Sequence, residues 1–140
     1  METRLEALRL LDIHPSQFCV SQKKLDAVKA WFDPADLSGF EPLPVKALNG
    51  RIILTDGHTR AWAAYCAGLE RVPLVWETED WLDWDAYQIC VEECERRGVH
   101  TAADFAGRVV SAQEYQEKWM HWCDVMHDAL DAQRKKEKQA

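Results

Sequence analysis

Asp56, His58, Thr59 and Arg60 place two charges, an imidazole and a hydroxyl within five residues, with Gly57 between the first two. A glycine there lets a ligand come close to the backbone. If a helix begins at this point, its first amides have no partners inside it and its dipole favours negative charge. An arginine in the first turn completes an anion site, and phosphate is the usual anion. In that role the Gly57–Thr59 amides cradle phosphate, Thr59 donates its hydroxyl, Arg60 neutralises charge, and Asp56 holds a metal ion or positions the turn. His58 donates to phosphate or exchanges a proton. The competing reading makes Asp56 an ordinary N-cap whose own carboxylate fills the helix mouth.

The elements around this turn follow from local patterning. Arg51 to Leu54 is a short apolar strand, introduced by the hairpin signal Asn49-Gly50 and paired with Leu43 to Leu48. His58 to Ala67 is alanine-rich and helical, and Gly68 stands where a left-handed C-cap belongs. Upstream, Leu8 to Ile13 reads as a strand, and Ser21 caps a helix through Trp31-Phe32, with Leu25, Val28 and Trp31-Phe32 spaced for one buried face. Asp33-Pro34 ends that helix, Ala35 to Glu41 is a loop, and Val72 to Trp76 is a further strand. Residues 1–77 are therefore expected to form an α+β unit: a small mixed sheet with two flanking helices.

Thr55-Asp-Gly-His-Thr-Arg60, a small-residue helix, Gly68 and then Val72-Pro-Leu-Val75 resemble the signature of the ParB/sulfiredoxin superfamily. The resemblance extends from about Leu10 to Glu77, through His14-Pro15, the Ser21 helix and Pro42-Leu-Pro-Val45. It implies a turn that grips nucleotide phosphates, with Gly57, His58, Thr59, Arg60 and Gln17 as nucleotide-binding residues. Asp56 and His58 are the implied catalytic candidates, and Asp56 the implied ligand of Mg²⁺; the nucleotide is ADP, ATP or CTP. Sulfiredoxins carry a cysteine where this chain has His58, so sulfiredoxin chemistry is disfavoured. Free serine kinases of the superfamily carry a glutamate base where this chain reads His14-Pro-Ser-Gln17. The amide of Gln17 cannot accept a hydroxyl's proton. Phosphoryl transfer or nucleotide hydrolysis is thus one expectation. A non-catalytic interaction or DNA-partition-like regulatory module is the other.

After Glu77 the texture becomes helical and acidic, and residues 78–140 read as a C-terminal extension packed on the α/β unit. Helices are expected from Trp84 to Arg97, from Thr101 to Arg108 behind a capping box, and from Ala112 to Gln133 behind Ser111. Trp84, Tyr87, Val91 and Cys94 form one apolar stripe, and Tyr115, Trp119, Trp122 and Met126 a second. Thr101 to Trp122 has the outline of a helix-turn-helix. Residues 78–130, however, carry 12 acids against 4 bases, whereas residues 1–77 carry 10 and 9. DNA binding depends on Lys and Arg neutralising phosphates, so direct DNA contact is disfavoured. The basic end, Arg134 to Lys138, reads as a solvated helix terminus. Cys90, Cys94, His121, Cys123 and His127 are zinc-type ligands, but Cys-x3-Cys is a weak pattern and buried thiols are the expectation. Five cysteines, no apolar run near 18 residues and no signal-peptide core at the N-terminus point to the cytoplasm. The expected partner is a nucleotide or phosphorylated small molecule, with a homodimer left open.

Overall fold

The computed structural model describes residues 3–140. Where a strand is expected over Leu8 to Ile13, the chain closes into two 3-10 turns, Leu5–Ala7 and Leu10–Asp12. The cause is local: the Asp12 carboxylate accepts from the Arg9 amide (2.8 Å) and from its guanidinium. Extended backbone begins only at His14, whose amide donates to Ile52 O and whose carbonyl accepts from Leu54 N. Strand β1 is Val20–Ser21, and helix α1 is Gln22–Lys29, capped by Ser21 Oγ accepting from Lys24 N. Leu25 is buried on α1, and Val28 and Phe32 pack against the core. Trp31, expected on the same face, is nearly half exposed.

Strands β2 (Leu43–Leu48) and β3 (Arg51–Leu54) form an antiparallel hairpin with Val45 opposite Leu54. Asn49 and Gly50 both have positive φ, 48° and 82°, the backbone a two-residue turn needs to match strand twist. Strand β4 (Leu74–Trp76) lies parallel to β2 on its other edge, giving the sheet order β3-β2-β4. Helix α2 (His58–Cys66) connects β3 to β4 and ends ahead of Gly68, whose φ is +80°. The fold is α+β, with a small mixed sheet and flanking helices followed by a helical C-terminal part, as expected.

Helix α3 (Trp84–Arg96) is capped by Asp83 and stops before Gly98, in left-handed backbone. The capping box Thr101/Asp104 forms, but it starts only the 3-10 turn Ala102–Phe105. The chain then makes strand β5 (Val109–Val110), parallel to β1 with Val20 opposite Val109. There is accordingly no helix-turn-helix: its expected first helix is one turn long and leads into a strand. Helix α4 (Ala112–Tyr115), a π-helical stretch Gln116–Met120 and helix α5 (His121–Gln139) follow without a break. The basic terminus is not simply solvated. Arg134 donates to both carboxylate oxygens of Asp83 (2.8 and 2.9 Å) and to Asp85, fastening α5 to the start of α3. That pairing holds the Asp83 carboxyl down to about 2.

One hydrophobic cluster joins both parts of the chain. Leu10, Phe18, Leu43, Val45 and Ala64 from the first part pack with Cys94, Val99, Phe105, Tyr115 and Trp119 from the second. Phe18 meets Trp119 and Trp122 edge-on, at 5.0 and 5.6 Å between ring centres. Most of the tryptophan and tyrosine stripe is thus packing surface. Among the described residues, no helix is long and apolar enough to cross a membrane.

Candidate functional site

Strand β3 runs apolar and buried into Leu54, and Thr55 anchors its end. The Thr55 hydroxyl donates to Glu77 Oε1 (2.9 Å), and its carbonyl accepts from the Tyr87 hydroxyl (3.0 Å). Burial, with Asp56 and Glu77 nearby, pushes that phenol up to about 12, so it stays a donor. The chain then turns at Asp56-Gly57 into α2. Gly57 is the N-cap, with φ +80°, and no side chain caps the helix. Asp56 is exposed, and its carboxylate does not plug the mouth of α2. The N-cap alternative for Asp56 is therefore not what this backbone adopts.

Arg60 folds back over Gly57. Its Nη1 donates to the carbonyls of Glu41 (2.5 Å) and Pro42 (3.3 Å), and among the described residues it makes no ion pair. A Cβ built on Gly57 would lie 2.7 Å from Arg60 Nη2 and 2.8 Å from Leu43 Cδ2. Gly57→Ala is therefore expected to cost roughly 1–3 kcal/mol for left-handed backbone alone. It should also dislodge Arg60. Urea denaturation of the variant measures the first effect, and anion affinity the second.

His58 is turned inward. Its ring is buried, edge-on to Phe105, and Nε2 accepts from the Ser16 amide at 3.0 Å. The proton then resides on Nδ1. Burial is the main reason this imidazole titrates low, at about 4, with Arg60 adding to the effect and Asp56 opposing it. His58 thus ties the turn to the segment before β1. A neutral ring whose Nε2 is already engaged does not match the proton-exchange role expected of it, whereas its Nδ1–H remains a donor for a phosphate oxygen. Gln17 lies beside the turn, its side-chain amide donating to Cys19 O at 2.8 Å.

Two cavities meet at this turn. The first, about 310 Å³, is lined by the Asp56–Arg60 turn together with Lys24 and Trp31 from the α1 side and Tyr115 of α4. Lys24 Nζ is held there by the Tyr115 hydroxyl at 3.2 Å. The second, about 450 Å³, is lined by Trp81, Leu82, Tyr87, Trp119 and Met126, with Ser16 and Cys90 among its other walls. Gln17, Asp56 and His58 line both. Trp81 is 74% exposed at the second cavity. Lys24 and Tyr115 are the residues that sequence reasoning missed. Lys24 sits one turn into the Ser21-capped helix, but nothing local indicates what that helix faces.

Among the described residues, Cys90, Cys94, His121, Cys123 and His127 do not come together as a ligand group. Cys90 and Cys94 are buried, and burial raises both thiols, Cys90 to about 12 and Cys94 further; Cys123 is likewise pushed up to about 12. Thiols held protonated in this way are poor nucleophiles. His121 and His127 are exposed on α5. All five cysteines are free.

Comparison with protein-family models, with curated proteins and with solved structures finds no match for this chain.

Proposed function

We propose that this chain binds a nucleotide, or another phosphorylated small molecule carrying a flat ring, across the two cavities that meet at Asp56. One observation carries the reading: the mouth of α2 is left uncapped by the protein's own carboxylate while Arg60 and Lys24 stand in the same cavity. Free amides, a helix dipole and two cations make a phosphate compartment. The neighbouring cavity, walled by indole, phenol and thioether groups, suits an aromatic base. Asp56, exposed at the junction, would hold the Mg²⁺ that accompanies nucleotide phosphates, the metal's other ligands being phosphate oxygens and water. On this reading the chain is a divergent member of the ParB/sulfiredoxin superfamily in the cytoplasm. The Thr55–Arg60 signature at a strand-to-helix turn supports that assignment.

Asp56 and Glu41 are the carboxylates lining the first cavity, both exposed and neither held by a hydrogen bond among the described residues, while Gln17 is an amide and His58 Nε2 is engaged. The geometry therefore favours a ligand-binding module over a kinase with a dedicated base. Hydrolysis, if it accompanies binding, should disappear in Asp56→Asn.

The test is a thermal-shift and calorimetric panel of ADP, ATP, CTP and GTP with Mg²⁺. Ligand at a hundred times its Kd should add about 2.7 kcal/mol of apparent stability. At least one nucleotide is expected to stabilise the wild type, and Lys24→Ala and Arg60→Ala to weaken it. Lys24 is exposed, so its loss leaves the fold intact even though Arg60 also braces Glu41 and Pro42. No stabilisation by any of the four at millimolar concentration would remove this reading.

A further inference from the structure

A second site lies where the segment before β1 crosses β3 and meets the end of α3. His14 Nε2, a Glu95 carboxylate oxygen and a His100 ring nitrogen all fall within 4.8 Å of one another. His14 is buried at 8% exposure, and its Nδ1 lies 2.8 Å from the Pro15 carbonyl, to which it donates. That bond fixes the tautomer and leaves the Nε2 lone pair pointing toward Glu95 Oε2, 3.7 Å away. His14 Nε2 is itself buried without a hydrogen-bond partner. A buried, lone-pair-bearing imidazole nitrogen with its other nitrogen on a backbone carbonyl is how proteins orient a metal-binding histidine.

The other two groups converge on the same point. His100 Nδ1 contacts Glu95 Oε2, and Glu95 Oε1 is held by Arg51 Nη1 at 2.6 Å. Glu95 therefore presents one oxygen to both imidazoles while its other oxygen is anchored. The His100 amide donates to the Asp104 carboxylate at 2.8 Å, which fixes the backbone of the third ligand.

We propose that His14, Glu95 and His100 bind a single divalent first-row transition metal, of which zinc is the best match. Two imidazoles and a carboxylate suit zinc, cobalt or nickel and not magnesium, which prefers an all-oxygen shell. Two donors bonded at about 2.1 Å can stand no more than about 4.2 Å apart. Donors sharing a tetrahedral ion stand roughly 3.4 Å apart, so His100 Nδ1, in direct contact with Glu95 Oε2, must draw back by about an ångström to admit the ion. His100, the most exposed of the three side chains, can make that movement. Three protein donors leave at least one position for water, as at open zinc sites. The Arg51 guanidinium opposes a cation, so affinity should fall below that of a closed four-ligand site. The bound ion would pin the chain before β1 to the end of α3, and none of its three ligands lines the cavities at Asp56.

Cobalt(II) added to the full chain tests this. Saturable visible ligand-field bands at one ion per chain are expected, without thiolate-to-cobalt charge transfer, and zinc should displace the ion. His100→Ala and Glu95→Gln should each weaken binding roughly tenfold or more. Far-ultraviolet circular dichroism should remain that of the wild type, since both residues lie at the surface end of the site. Nitrogen-15 shifts at His14 Nε2 and His100 Nδ1 should move on zinc addition. Three results would each overturn the proposal: no saturable spectrum, thiolate bands that place the ion on cysteine, or affinity unchanged in His100→Ala.

Discussion

Replacing Phe105 with alanine is expected to lower the unfolding free energy by about 3–5 kcal/mol, the range for losing a fully buried aromatic ring. Phe105 has no solvent exposure and sits in the 3-10 turn Ala102–Phe105. It stands nearly perpendicular to His58 at 6.1 Å, so the C-terminal part of the chain supports the first residue of α2 through this ring. Typical domains have only about 5–15 kcal/mol in total. The variant should therefore unfold at much lower urea concentration in one transition that includes the sheet, because one core serves both parts. Phe105→Leu keeps most of the volume and should cost far less. A loss under about 1 kcal/mol for the alanine variant, or separate transitions for the two parts, would show that the parts do not share a core.

Acidification gives the second large effect. His58 titrates at about 4 in the folded chain and near 6.5 when unfolded. Above pH 6.5 the ring is neutral in both states and costs nothing. As pH falls below 6.5 the unfolded chain takes up a proton that the folded chain refuses, so stability drops until pH passes below about 4. The full loss is about 3 kcal/mol. His14, also lowered chiefly by burial, adds in the same direction. The Asp83 carboxyl, held at about 2 by Arg134, loses its contribution only at lower pH. Urea denaturation at pH 7 and about pH 5.5, above the range where unfolded carboxylates take up protons, therefore reads chiefly the histidines. His58→Gln should be less stable at pH 7 and show a flatter dependence between the two. An unchanged pH dependence in His58→Gln would mean that the ring is not held neutral by burial.

Much of the framework was legible because its determinants are local. Asn49-Gly50, the Ser21 and Ser111 caps, and the stops at Gly68 and Gly98 each act within a few residues, and all formed. The misreadings share a cause. Leu8 to Ile13 has strand-like composition, but Arg9 and Asp12 close it into a turn, a local bond that outweighed the apolar pattern. Strand β5 is two residues long and pairs with a strand 89 positions earlier, so no window of sequence could reveal it.

The candidate site divides in the same way. Asp56 to Arg60 lie together because they are adjacent in sequence. That His58 faces Ser16 depends on a contact 42 residues away. Lys24 and Tyr115 reach the same cavity from separate helices, 91 residues apart. The His14–Glu95–His100 cluster is likewise assembled from distant positions. Cys90 and Cys94 are buried free thiols, as their weak Cys-x3-Cys spacing led one to expect.

In the proposed site anionic oxygens enter the mouth of α2, and backbone amide NMR reads that mouth directly. Titration with inorganic pyrophosphate, and then with whichever nucleotide stabilises the chain, should move the Gly57, His58 and Thr59 amides most, saturably, with the Arg60 side chain following. Largest shifts elsewhere, or no shift at these three amides at millimolar ligand, would contradict the proposed site.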